Sequence, residues 1–204
     1  AFNVYVSNKI GAVAMGLFSL ITTVYGFGIT LATSGINLAT TRLVAQVIGD
    51  DGKISLINDN QKQAKIKLVL RQCIYYSLFF GALATVILLI SAENIGVYVL
   101  RDERTVSSLR VLALTFIPIS LCSVFTGYFS ALRRVYKTAL TQIMGQGAKI
   151  FASIFFFSYI GASSVENACL CVVWGGAVAE FLSFALSFIF YLSDRKSSTL
   201  LLNW

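Results

Sequence analysis

Lys149 and Glu180 are the side chains of this sequence whose type and placement most invite chemistry. Each is the sole charge in a long uncharged segment, Thr138 to Val165 for the lysine and Asn167 to Ser193 for the glutamate. An ammonium group brings three N–H donors and suits an anionic group such as a phosphate, whereas a carboxylate brings acceptors only until it takes up a proton. Gln142 and Gln146 precede Lys149 at i, i+4, i+7 spacing, so the three form a polar stripe on one helix face. Against lipid such a stripe would be unfavourable. Other reactive groupings are missing: the chain has no histidine, and Cys73, Cys122, Cys169 and Cys171 sit within apolar runs without metal-ligand spacing. The cysteines therefore read as small packing residues, and no metal site is expected.

The segments that carry these residues are those of a membrane protein. Hydrophobic residues make up 57% of the sequence and charged residues 12%, against roughly a quarter charged in an ordinary soluble domain. Ile10 to Thr41, Gln72 to Ala92 and Val111 to Leu132 carry no charge, and each exceeds the roughly 18 to 20 residues that cross a hydrocarbon core. With the Lys149 and Glu180 segments they predict an all-α polytopic transmembrane bundle of five spans, one domain over residues 1–204. Ala1 to Asn8 read as the apolar end of a preceding helix, which makes the chain a piece of a longer protein.

Loop charges set the orientation. Eleven Lys and Arg lie in the segments 42–71, 133–137 and 194–204, against four on the alternate side, where Glu93, Asp102 and Glu103 offset them. The positive-inside rule then puts the first group in the cytoplasm, including a loop over about residues 42–66. The net charge of +7 is accounted for by these loops, so nucleic acid is not an expected partner; the bilayer is. Within the first loop, DDGK (Asp50 to Lys53) signals a turn, and Asn58 or Asp59 can cap a helix running through QKQAKIKLVLRQ into the second span. Arg71 reads as an interfacial anchor. Pro118, the sole proline, predicts a kink in the third span. Gly127 with Ala131, Ala148 with Ala152 and Gly175 with Ala179 have the small-xxx-small spacing of closely packed helices.

Depth gives the buried charges their weight. Lys149 lies about 16 Å along a helix from Thr138, and Glu180 about 20 Å from Ser193, so both fall near the middle of a core about 30 Å thick. Inserting either alone costs about 2.5–3.5 kcal/mol. Two arrangements relieve that cost: an ion pair between Lys149 and Glu180 that fixes helix register, or a hydrated cavity in which Lys149 meets a charged cargo or a coupling ion.

Four stretches resemble a known family. GAVAMGLFSL (Gly11 to Leu20), TSGINLATTRLVAQ (Thr33 to Gln46), GYFSALRRVYKTALTQ (Gly127 to Gln142) and GQGAKI (Gly145 to Ile150) look like the stage V sporulation protein B group of polysaccharide biosynthesis transporters. That group belongs to the multidrug, oligosaccharidyl-lipid and polysaccharide exporter superfamily. The most specific part is the Gly127, Tyr128, Phe129 segment followed by Thr138, Ala139 and Gln142. Gly35, Ala39 and Arg42 fit a family motif in which proline commonly stands where this chain has Asn37. Near Lys149 the family usually carries a glutamate before the glutamine and an arginine later, where this chain has Gly145, Gln146 and Lys149. Glu180 is then the sole membrane-embedded carboxylate of the sequence.

The resemblance implies two six-helix lobes around a cavity that opens alternately to each side, as in related drug exporters. These residues would form the end of helix 1 and helices 2 to 6 of the amino-terminal lobe, with a carboxy-terminal lobe as partner, in a bacterial cytoplasmic membrane. The implied function is flipping or export of a lipid-linked, phosphate-bearing saccharide for cell-wall or polysaccharide synthesis, without enzymatic activity. Lys149, with Arg42 near the cytoplasmic mouth, would be the cationic contacts, Gln142 and Gln146 the hydrogen-bonding ones, and Glu180 would hold or neutralise Lys149. No cofactor is expected beyond Na+ or H+ coupling. Two alternatives stand: an ion-coupled multidrug exporter, and a polytopic glycosyltransferase or polymerase using Glu93, Asp102 and Glu103 of the outer loop.

Overall fold

The computed structural model describes the backbone of residues 2–49, 59–102, 104–160 and 165–200. Among these residues all regular structure is helical: α1 (Phe2–Thr33), α2 (Ile36–Gly49), α3 (Asp59–Asn94) with a π-helical turn at Ile95–Val99, α4 (Arg104–Ala113), α5 (Phe116–Ala131), α6 (Val135–Ile160) and α7 (Val165–Leu200). A polytopic helical bundle follows from the sequence because a helix satisfies its own N–H and C=O groups where no water can. The DDGK turn, Lys53, Asn58, Glu103 and the 161–164 link lie outside the described residues, as do the side chains of Lys9, Lys62, Glu166, Arg195 and Lys196.

Among the described residues, four segments are long and apolar enough to cross a membrane: Met15–Gly49, Ala64–Tyr98, Arg104–Ala131 and Cys169–Asp194. The fifth expected span falls on α6. Its 26 residues extend about 39 Å, but Gln142, Gln146 and Lys149 dilute its apolar character. It packs along α7 more extensively than any other two helices meet. The backbone of α1 is continuous across Asn8 to Ile10, where the sequence places a helix end.

Both of the first and third apolar runs are broken helices. The first was read as one span, yet it divides at Ser34–Gly35. Gly35 takes φ +71°, a conformation that a Cβ would strain, and its carbonyl accepts the Ala39 N–H at 2.8 Å to start α2. Helix α2 then runs to Gly49 and α3 begins at Asp59, so much of the loop expected over 42–66 is helical. Of the two capping candidates, Asp59 is the first described residue of α3, and Asn58 lies outside the described residues.

The third run breaks at Leu114–Thr115, just before Pro118, because proline has no N–H to give and its ring excludes the carbonyl four residues back. Side chains take over the released backbone groups. Thr115 donates to the Leu112 carbonyl through its N–H at 3.0 Å and its hydroxyl at 2.7 Å. The Tyr25 hydroxyl lies 3.0 Å from Thr115 Oγ1, and since Thr115 already donates to Leu112, tyrosine is the donor. From α3, the Thr85 hydroxyl is shared between the Gly81 carbonyl of its own helix at 2.8 Å and the Ala113 carbonyl at 3.0 Å. Thr85→Val should therefore lower stability by about 1 kcal/mol. Thermal unfolding of the purified protein in detergent checks this; an unchanged midpoint would mean that Ala113 has another donor.

Glycine lets the helices approach closely. A Cβ on Gly127 would stand 2.7 Å from the Asn37 carbonyl of α2, and one on Gly175 would stand 2.8 Å from the Ser153 nitrogen of α6. Buried apolar side chains fill the two ends of the bundle. Leu17, Ile21, Leu109, Leu112 and Val173 pack at one end, and Val44, Leu70, Val124, Phe125, Tyr128 and Phe129 at the other. Tyr128 belongs to an aromatic group there, its ring edge-on to Tyr191 with centroids 5.4 Å apart.

Candidate functional site: a polar cavity around Lys149

Three helices turn periodic polar faces toward one another. On α6 these are Thr138, Thr141, Gln142, Gly145, Gln146 and Lys149; on α7, Glu180, Ser183 and Ser187; on α5, Cys122, Ser123 and Thr126. The spacings of three, four and seven residues keep each set on one helical face. Thr33 of α1 and Asn37 of α2 complete the wall. Together they line a cavity of about 750 Å³. The structure thus brings Gln142, Gln146, Lys149 and Glu180 to one place.

Lys149 and Glu180 close the inner end of this cavity. Lys149 extends from α6 toward α7, where a Cβ on Gly176 would lie 3.8 Å from its Cε; Glu180, one turn further along α7, acts on it electrostatically. Both residues also line a second cavity of about 70 Å³ on the other side, with Phe18, Thr22, Tyr25, Leu112, Val172, Val173 and Gly176. Lys149 and Glu180 thus border both a roomy polar chamber and a small, mostly apolar one. The chamber lies toward the end of the bundle that carries the basic turn at Arg133 to Lys137.

That end holds a cluster the sequence did not single out. Asp194 of α7 is buried, and its Oδ1 accepts from Arg134 Nη1 at 2.5 Å and from Lys137 Nζ. Lys137 also lies 5.9 Å from the ring centroid of Phe129, itself a wall residue of the chamber, so the cluster stands at the chamber's rim. Its partners are 57 and 60 residues apart in sequence, and no local spacing links them. The hydroxyls of Ser123, Thr126, Ser183 and Ser187 were missed for another reason. Small polar residues in apolar runs read as packing, although their three- and four-residue spacing carried the signal.

Arg42 is not in this chamber. It is exposed and lines a separate recess of about 550 Å³ with Ala39, Leu43 and Gln46. Arg71 reaches back to its own helix, donating to Tyr75 Oη at 3.2 Å with its guanidinium 5.6 Å from the ring centroid. Gly35, Gly127, Tyr128 and Pro118 serve the helix break, the α2–α5 contact, the aromatic group and the α4–α5 break. At the opposite end Glu93 pairs with Arg110, and Asp102 Oδ1 accepts the Arg104 N–H at 3.0 Å at the start of α4. These outer carboxylates thus have structural partners, and no group of metal-ligating residues gathers among the described residues.

A family model described as polysaccharide biosynthesis protein matches residues 1–203. No curated protein and no solved structure matches the chain.

Proposed function

The chain belongs to the polysaccharide biosynthesis protein family, and we propose that it serves there as a membrane transporter that flips a lipid-linked, phosphate-bearing saccharide by alternating access. The observation that carries this reading is Lys149 on the wall of a polar chamber lined by three helices. An ammonium in a partly desolvated chamber attracts phosphate more strongly than one in water. Gln142, Gln146 and the hydroxyls of α5 and α7 suit the polar sugar, while the exposed apolar faces of Ile143, Phe151 and Phe155 leave the lipid tail in the bilayer. The basic rim lies where the positive-inside rule places the cytoplasm, so loading occurs from that side. The remaining lobe of the longer protein supplies the facing half of the chamber, in a bacterial cytoplasmic membrane.

The test is translocation of a fluorescent lipid-linked sugar by the complete protein in vesicles. Replacing Gln142 and Gln146 together by leucine removes two hydrogen-bonding groups worth about 1 kcal/mol each and should slow translocation about tenfold or more. No movement above protein-free vesicles would overturn the transport reading, and an unaltered rate in the variant would remove the stripe from the cargo path. One observation favours a second reading: Glu180 is a carboxylate on the chamber wall, as an ion-coupled drug exporter requires. Organic-cation export driven by a proton or sodium gradient and lost in Glu180→Gln would favour it.

A further inference from the structure

We propose that the outer face of α2 binds an anionic phospholipid, with its phosphate on Arg42 and an acyl chain in the groove between α2 and α3. The groove is apolar for most of its length. Ile36, Ala39, Leu43, Cys73 and Tyr76 line a crevice of about 430 Å³ that starts at the Ser34–Gly35 break. Ala39 and Leu43 are shared with the recess that contains Arg42, so the two form one track ending in a guanidinium.

This track is distinct from the cargo chamber. Asn37 lines the chamber, while Ala39 and Leu43, two and six residues on, project about 200° and 240° around the helix from it. Arg42 lies about 10 Å along α2 from Gly35, in the direction of the basic end. A long arginine stem can snorkel along apolar surface and place its charge at headgroup level.

Charge complementarity selects the occupant. Arg134 and Lys137 share the single carboxylate of Asp194, and Arg71 is held by Tyr75. Arg42, by contrast, makes no hydrogen bond or ion pair among the described residues, and α2 contains no acid. Lys65 and Lys67 stand exposed on α3, within about 10 Å of Gln72 along the helix, and add positive potential to the same end. A guanidinium binds phosphate oxygens two at a time, and anionic headgroups concentrate at basic membrane-proximal surfaces.

The experiment uses the complete protein in detergent and reads its thermal stabilisation by added phosphatidylglycerol or phosphatidylcholine. Phosphatidylglycerol is expected to act at about tenfold lower concentration, a difference worth about one charge-assisted contact. Arg42→Gln should erase that preference, and Ala39→Trp, which fills the crevice, should weaken both lipids. Equal action of the two lipids, or a preference retained by Arg42→Gln, overturns the proposal. In parallel, Ala39→Cys should react with a membrane-partitioning maleimide. Protection would show that another part of the protein covers the groove, and competition between phosphatidylglycerol and lipid-linked sugar would assign the track to the cargo; either overturns the proposal.

Discussion

Lys149→Gln in the complete protein is expected to reduce translocation of lipid-linked sugar between tenfold and about a hundredfold, with normal expression. The magnitude comes from one charge-assisted hydrogen bond, about 1.5–3 kcal/mol, lost where the cargo's phosphate sits between the two faces of the membrane. The chamber geometry makes the outcome specific. Because Lys149 borders the large cavity and the small one, its charge stands on the proposed cargo path. A purely structural pair predicts something else. Removing one partner leaves the other charge without compensation and destabilises the fold, while removing both by Lys149→Gln with Glu180→Gln restores it. The double variant separates the two. If Lys149 holds phosphate, the double variant regains thermal stability and remains slow; if the pair only sets register, it regains transport as well. Full transport by Lys149→Gln alone would remove the lysine from the mechanism.

The sequence made the helices legible because their signal is local. Long uncharged runs and the loop charges each act within a few residues, and a helix in lipid has no competing conformation. The stripe of Gln142, Gln146 and Lys149 was equally readable, since one helix carries all three. The breaks were less so. Pro118 announced a disturbance but not that it would end α4 at Ala113, which depends on Tyr25 and Thr85 from other helices supplying donors. Gly35 gave no warning in a run without charge, because a glycine that packs and a glycine at positive φ look alike in sequence. Arg42 shows the remaining gap. The resemblance implied a cationic contact near the cytoplasmic mouth of the cavity, yet helical phase sets Arg42 on another side of α2 than Asn37.

Asp194→Ala should produce the larger loss of stability, about 2–4 kcal/mol, read as a fall in the unfolding midpoint of the purified protein. Removing one partner of a buried pair costs about 3–5 kcal/mol because the charges left behind have been taken from water. Here Lys137 is well buried, with 11% of its side chain exposed, but Arg134 at 37% keeps partial access to water, which lowers the expected figure. Lys137 cannot simply swing out, since the rings of Phe129, Tyr136 and Phe190 surround it at 5.9–6.0 Å. The loss has a direction as well as a size. Asp194 ties the turn between α5 and α6 to α7, so its removal loosens the three helices that build the chamber at its rim while Lys149 and Glu180 keep their places. Asp194→Ala should therefore show increased amide exchange at Arg133 to Lys137 before any change at Lys149. Unaltered exchange in that turn, with an unaltered midpoint, would mean that Asp194 pairs with the two cations without holding the helices together.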